Sequence, residues 1–118
     1  MELPGRIIEP EPPHASTTVE KIEYFSGKYG VSYDDMYKLA WCESGLKEKA
    51  FNGKDPYGGA HGIYQYLKPT FATYSKKFGF TEPDIWNVDQ QIELTAWMVS
   101  LGEAKQWTCS RTQGLFGL

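Results

Sequence analysis

Among the fifteen acidic side chains of this 118-residue chain, Glu43 stands where a carboxyl group has chemical consequences. Met36, Leu39 and Ala40 recur at the spacing of one helix face. Glu43 follows them by seven, four and three positions, so it falls on the same apolar stripe. An inward carboxylate is expensive unless it is paired or kept protonated. Two readings follow. A Glu in the last turn of a helix can reach back to solvent or accept from a main-chain amide, with no function attached. Alternatively, the carboxyl lies in an apolar cleft, where desolvation raises its pKa and lets it donate a proton near neutrality. Protonating a glycosidic oxygen requires such an acid. Periodicity leaves both readings open.

Enzymes that cleave glycosides with two carboxyls hold them about 5 Å apart for retention, or ~6.5–9.5 Å apart for inversion. Asp34 and Asp55 are the candidates for a second carboxylate, and no motif supports either. Cys42 directly precedes Glu43, and Cys109 is the only other cysteine. Either the two form a disulfide, which implies an oxidising compartment, or they are two buried thiols of a cytosolic domain. His14 and His61 are the only histidines and share no ligand spacing with the cysteines, so no metal site is expected.

The elements that must position Glu43 are legible from caps and turns. Residues 1–16, with Glu9-Pro10-Glu11-Pro12-Pro13, form a proline-rich acidic stretch that reads as a flexible leader or linker, leaving 17–118 as one folded domain. Thr17-Thr18-Val19-Glu20 is a capping-box pattern opening a helix that runs to about Tyr29, where Gly30 supplies the stop. Ser32 caps a second helix that ends at about Glu43 or Ser44. Between Ala50 and Gly62, Asn52-Gly53, Asp55-Pro56 and Gly58-Gly59 are turn chemistry, so a glycine-rich loop or small hairpin is expected. Pro69 suits a third helix start, with Phe71, Tyr74 and Phe78 on one side and Gly79 at its end. Asn87 with Gln90 opens a longer helix whose Val88, Ile92, Ala96 and Val99 share a face. Trp107 and Cys109 lie in a glycine-ending tail. The expected fold class is mainly α, with four or five helices around one loop.

Composition narrows the partners. Twelve basic residues against fifteen acidic ones give a net charge of −3, with no cationic stripe to neutralise phosphates, so no nucleic-acid partner is expected. No apolar run reaches membrane-spanning length, and no charged-then-apolar export signal opens the chain. Four Trp, eight Tyr and six Phe serve equally for core packing and for stacking on sugar faces.

Glu43-Ser44-Gly45, followed by Ala60-His61-Gly62-Ile63-Tyr64-Gln65-Tyr66 and then Thr70, resembles the paired motifs of the soluble lytic transglycosylase domain. There a helix-ending Glu-Ser precedes a Gly-Ala-x-Gly-Leu/Ile-x-Gln segment and a Thr. The ordered set Cys42-Glu43-Ser44-Gly45, Gln65-Tyr66, Thr70-Phe71, Gln91-Ile92 and Trp107-Thr108-Cys109 is similar to the resuscitation-promoting factor branch of the same lysozyme-like fold. The resemblance spans about residues 35–111. The loop from Ala50 to Gly62 is longer than in that branch and closer to the soluble transglycosylases. The Tyr-Asn segment that many larger transglycosylases place against the acid is missing, so the sequence does not name what orients Glu43.

The resemblance implies an α+β lysozyme-like fold and a peptidoglycan lytic transglycosylase. Such an enzyme cleaves the MurNAc-GlcNAc β-1,4 bond and forms 1,6-anhydro-MurNAc, without metal or cofactor. It implies Glu43 as the catalytic acid/base and Ser44, Gln65, Tyr66, Thr70 and Gln91 as substrate-binding positions. It also implies a Cys42–Cys109 disulfide tying the catalytic helix to the C-terminal segment. Trp107 reads as a core anchor and His61 as a loop residue, not a base. The implied setting is a monomer acting on glycan strands in the cell wall or periplasm. A hydrolytic muramidase on the same fold, a non-catalytic peptidoglycan-binding or signalling module, and a part of a larger secretion or phage machine are the alternatives.

Overall fold

The first helix starts because its cap is satisfied twice. The Thr17 hydroxyl accepts from the Glu20 N–H at 3.1 Å, and the Glu20 carboxylate accepts from the Thr17 N–H at 2.8 Å. The computed structural model describes residues 16–54 and 56–118; apart from Ser16, the leader and the candidate carboxylate Asp55 lie outside the described residues. Helix α1 covers Thr18–Tyr29 and closes on Gly30 in the left-handed region. Helix α2, Tyr33–Ser44, opens on Ser32, whose hydroxyl accepts from the Asp35 N–H, and closes on Gly45 with φ 65°. Glu43 therefore occupies the last turn of α2, as its sequence position suggests.

Three two-residue strands follow: β1 (Phe51–Asn52), β2 (Ala60–His61) and β3 (Tyr66–Leu67). They form an antiparallel sheet in chain order, with Phe51 opposite His61 and His61 opposite Tyr66. The turn-rich stretch is thus the small hairpin anticipated from its glycines. Helix α3, Lys68–Phe78, leaves β3 directly with proline in its first turn and ends at Gly79. Helix α4, Val88–Ser100, is capped by the Asn87 side chain accepting from the Gln90 N–H at 3.0 Å.

The core refines the expected face of α4. Ile92 and Ala96 are buried as read, but Leu94, Thr95, Met98 and Gln91 are buried too, while Val88 and Val99 are only half-buried. Helix α4 is surrounded because α1, α3 and the sheet region all pack on it. Ile22 and Phe25 of α1 and Met36, Leu39 and Ala40 of α2 complete the centre. Beyond α4 the tail is more structured than its composition suggests. A 3-10 turn at Ala104–Gln106, the short helix α5 (Thr108–Thr112) and a 3-10 turn at Leu115–Gly117 fold back on α2. Cys42 of α2 and Cys109 of α5 form a disulfide with Cα atoms 6.2 Å apart. A mainly helical body with one small sheet results, the α+β architecture expected.

Candidate active site

The segment between β2 and β3 is the hub on which the site is built. Tyr64 is fully buried; its hydroxyl donates to the Met36 carbonyl at 2.9 Å, and its own carbonyl accepts from the Trp107 indole at 3.0 Å. The Ser44 hydroxyl donates to the Ile63 carbonyl at 2.7 Å. Gln91 holds the same turn from behind. Its amide nitrogen donates to the His61 carbonyl at 2.8 Å and the Ile85 carbonyl at 2.6 Å, and its amide oxygen accepts from the Tyr64 N–H at 3.0 Å. A side chain at Gly62 would come within 2.2 Å of that amide, so glycine is required for the approach.

Against this hub opens a cleft of about 280 Å³, lined by Glu43, Gln65, Tyr66, Leu67, Thr70, Met98 and the run Gln106 to Cys109. Glu43 lines it from the end of α2, and Tyr66, Leu67 and Thr70 from the β3–α3 corner. Desolvation pushes the Glu43 carboxyl up from 4.5 to about 7, and a hydrogen bond from the Cys109 main-chain N–H only partly opposes the rise. That amide belongs to the first turn of α5, where no intrahelical acceptor exists and Trp107 offers no side-chain cap. Glu43 is the only carboxylate among the described residues that line the cleft. Asp34, in the first turn of α2, is exposed and does not reach it.

Gln65 has φ 55°, in the left-handed region that a residue with a side chain enters only when its surroundings impose it. Its amide nitrogen donates to the Gly62 carbonyl at 2.9 Å and the Ala50 carbonyl at 3.3 Å. Both amide hydrogens are thereby engaged, so Gln65 can meet a ligand only as an acceptor through Oε1. Thr70 lines the cleft from the first turn of α3. Tyr66 backs the floor. It is 2 % exposed, its hydroxyl pairs with Thr95 at 2.9 Å, and its ring meets Phe71 and Trp107 edge-on. Its polar end faces the core, leaving only the ring to the cleft.

Two residues expected on the substrate side lie elsewhere. Ser44 and Gln91 do not line the cleft. The Ser44 hydroxyl is tied to the Ile63 and Ala40 carbonyls, and the Gln91 amide is 1 % exposed with every polar position used internally. Their polarity satisfies the main chain of the hub, which has no other partners once α4 covers it. His61 is not in a loop but on β2, buried between the rings of Phe51 and Trp86 and away from the cleft. Trp107 is buried, as a core anchor should be. Gln106 and Thr108 line the cleft, although the sequence assigns neither a role. The signal that could have found them is their place beside the Trp107-x-Cys109 motif, once Cys109 is paired with the residue next to Glu43.

Among the described residues, no group of three His, Cys, Asp or Glu comes together to hold a metal ion, and no helix is long and apolar enough to cross a membrane. No curated protein and no solved structure matches the chain. The family model described as transglycosylase SLT domain matches residues 20–105, a span from α1 to the 3-10 turn before Trp107. With its acid-bearing helix, hairpin and cleft inside or against that span, this chain belongs to the transglycosylase SLT domain family, a lytic transglycosylase type that acts on peptidoglycan.

Proposed function

We propose that the protein is a peptidoglycan lytic transglycosylase that cleaves the β-1,4 bond between N-acetylmuramic acid and N-acetylglucosamine with Glu43 as its acid and base. The observation that carries this reading is Glu43, the one carboxyl among the described residues that line the cleft, whose pKa is lifted to about 7 by burial. At neutral pH much of it is protonated and able to act as an acid, and its conjugate base is strong enough to take the proton back. In the first step Glu43 protonates the bridging oxygen as the bond from the muramic acid C1 breaks. The substrate's own N-acetyl carbonyl steadies the oxocarbenium-like carbon. In the second, the 6-hydroxyl of the same sugar bonds to C1 and its proton returns to the Glu43 carboxylate. The 1,6-anhydro ring closes, and the enzyme ends as it began. No second carboxylate is required, and among the described residues no other lines the cleft.

Gln65, through Oε1, and Thr70 are the polar contacts for the glycan, with the Tyr66 ring behind them; Gln106 and Thr108 extend the polar wall. The protein acts on glycan strands in the cell wall or periplasm, where the Cys42–Cys109 disulfide persists. The test is mass analysis of the products from purified peptidoglycan. Muropeptides ending in 1,6-anhydro-N-acetylmuramic acid are expected. Products one water heavier, with reducing-end sugars, would make the enzyme a hydrolytic muramidase, and binding without products would make it a non-catalytic module.

A further inference from the structure

Phe51 and Trp86 are 58 % and 44 % exposed, yet neither ring is loose. The Phe51 ring lies on the main chain of the hairpin, so close that a Cβ at Gly59 would collide with it. Trp86 sits in a closed turn: its N–H donates to the Asp84 carboxylate at 3.0 Å, and the Asn87 N–H donates to the Asp84 carbonyl at 2.9 Å. His61 fills the space between the two rings, edge-on to both, with centres 5.1 and 5.2 Å away. Large apolar rings held exposed in one geometry mark a binding surface. Of the described residues, Trp86 and Lys49 line a common hollow. Lys49 is exposed and makes no ion pair with a described residue. The carboxylates beside these groups in sequence are engaged, Glu48 by the Thr18 hydroxyl and Asp84 by the Trp86 N–H. The surface thus offers aromatic faces and an ammonium with no described counter-ion. A neutral sugar would use only the faces; an acidic peptide uses both.

Strand register links this surface to the cleft. Phe51 pairs with His61 and His61 with Tyr66, so the three form one cross-strand row. Tyr66 lines the cleft that holds Glu43. Two strand spacings, about 10 Å, separate Phe51 from Tyr66. Lys49 is tied to the cleft as well, because the carbonyl of its neighbour Ala50 accepts from the Gln65 amide at 3.3 Å and from the Gly62 N–H at 2.7 Å. In peptidoglycan, the lactyl group of the muramic acid carries a stem peptide that combines small apolar residues with free carboxylates. Three extended residues of such a stem span about 10 Å. We propose that Phe51, Trp86 and Lys49 bind the acidic stem peptide of the strand held in the cleft, the rings meeting its apolar residues and the Lys49 ammonium a carboxylate. The protein is thereby selective for peptide-bearing over bare glycan.

The inference rests on peptidoglycan as the substrate, and its first test does not depend on turnover. The synthetic stem peptide L-Ala-γ-D-Glu-L-Lys-D-Ala is titrated into the full chain while the Trp86 indole N–H and the His61 main-chain N–H are followed by NMR. Both signals should move and saturate. Lys49→Gln should weaken binding roughly fivefold, as the loss of one exposed ion pair does at most. Trp86→Ala, read at His61, should weaken it about tenfold. Turnover is then compared on strands that keep their stems and on strands stripped of them by an amidase. The parent should show the lower KM on the former, and both variants should lose that preference. Signals that ignore the stem peptide, or that answer equally to bare glycan fragments or to protein concentration alone, overturn the inference whatever the protein's activity. Equal KM for both kinds of strand in the parent overturns it too. Saturable binding of the stem peptide by a protein that cleaves neither strand would refute the catalytic reading and leave this site standing.

Discussion

Replacing Glu43 by Gln should abolish turnover and, at neutral and higher pH, make the fold more stable. The carboxyl titrates at 4.5 in its reference state and at about 7 in the cleft. A carboxyl whose folded pKa is raised binds its proton more tightly when folded. The stability linked to that proton is fully present below 4.5 and is lost as pH rises through 7. For a fully desolvated group the loss at pH 8 would be about 3 kcal/mol. Glu43 is only half-buried, and solvent screening brings the expected figure down to roughly 1–2 kcal/mol. Gln removes the ionisation while keeping the shape and an oxygen for the Cys109 N–H. For a chain of this length, Glu43→Gln should therefore melt about 4–8 °C above the parent at pH 8. The two should converge as pH falls below 4.5, where Glu43 is protonated in the folded and unfolded chain alike. Paired thermal melts at pH 4.5, 6 and 8, with muropeptide release at neutral pH, make the measurement. A melting difference that does not grow with pH would refute the buried-acid account. An active variant would refute the catalytic one.

Three further outcomes follow from the same geometry. With one group serving as acid and then base, kcat/KM should fall about tenfold per pH unit above 7, as the protonated form of Glu43 is lost; a profile flat from pH 6 to 9 would mean that the acid lies elsewhere. Gln91→Ala leaves the Tyr64 N–H and the His61 and Ile85 carbonyls without their partner. Melts should show a loss of about 3 kcal/mol, with KM for soluble glycan unchanged in the folded fraction; a pure KM effect at full stability would restore Gln91 to the substrate side. The disulfide closes a loop of 67 residues, worth about 4 kcal/mol in the chain-entropy picture. Reduction should lower the melting temperature by more than 10 °C on the order of this value, and alkylation without reductant should label neither Cys42 nor Cys109.

The sequence by itself determined the helices and the place of the acid on them. Thr17, Ser32 and Asn87 announce their helices because a cap is a local contract between a side chain and an amide two or three residues on. Glu43 is marked by the 3.6-residue period of Met36, Leu39 and Ala40, which needs no knowledge of what α2 packs against. The ordered motifs from Cys42 to Cys109 pointed to the family that the SLT model confirms over residues 20–105. Tertiary structure decided which polar residues face the cleft and which hold the hub. Gln65 and Gln91 look alike in sequence. One is bent into the left-handed region at the cleft wall, and the other points from α4 into the core, held by three main-chain partners. It also decided what surrounds Glu43. Cys109, 66 positions away, lines the same cleft through its disulfide to Cys42, and its main-chain amide opposes part of the rise that burial imposes on the carboxyl's pKa. Every residue has such an amide, so no residue type or spacing can signal which one will meet a carboxylate across the fold.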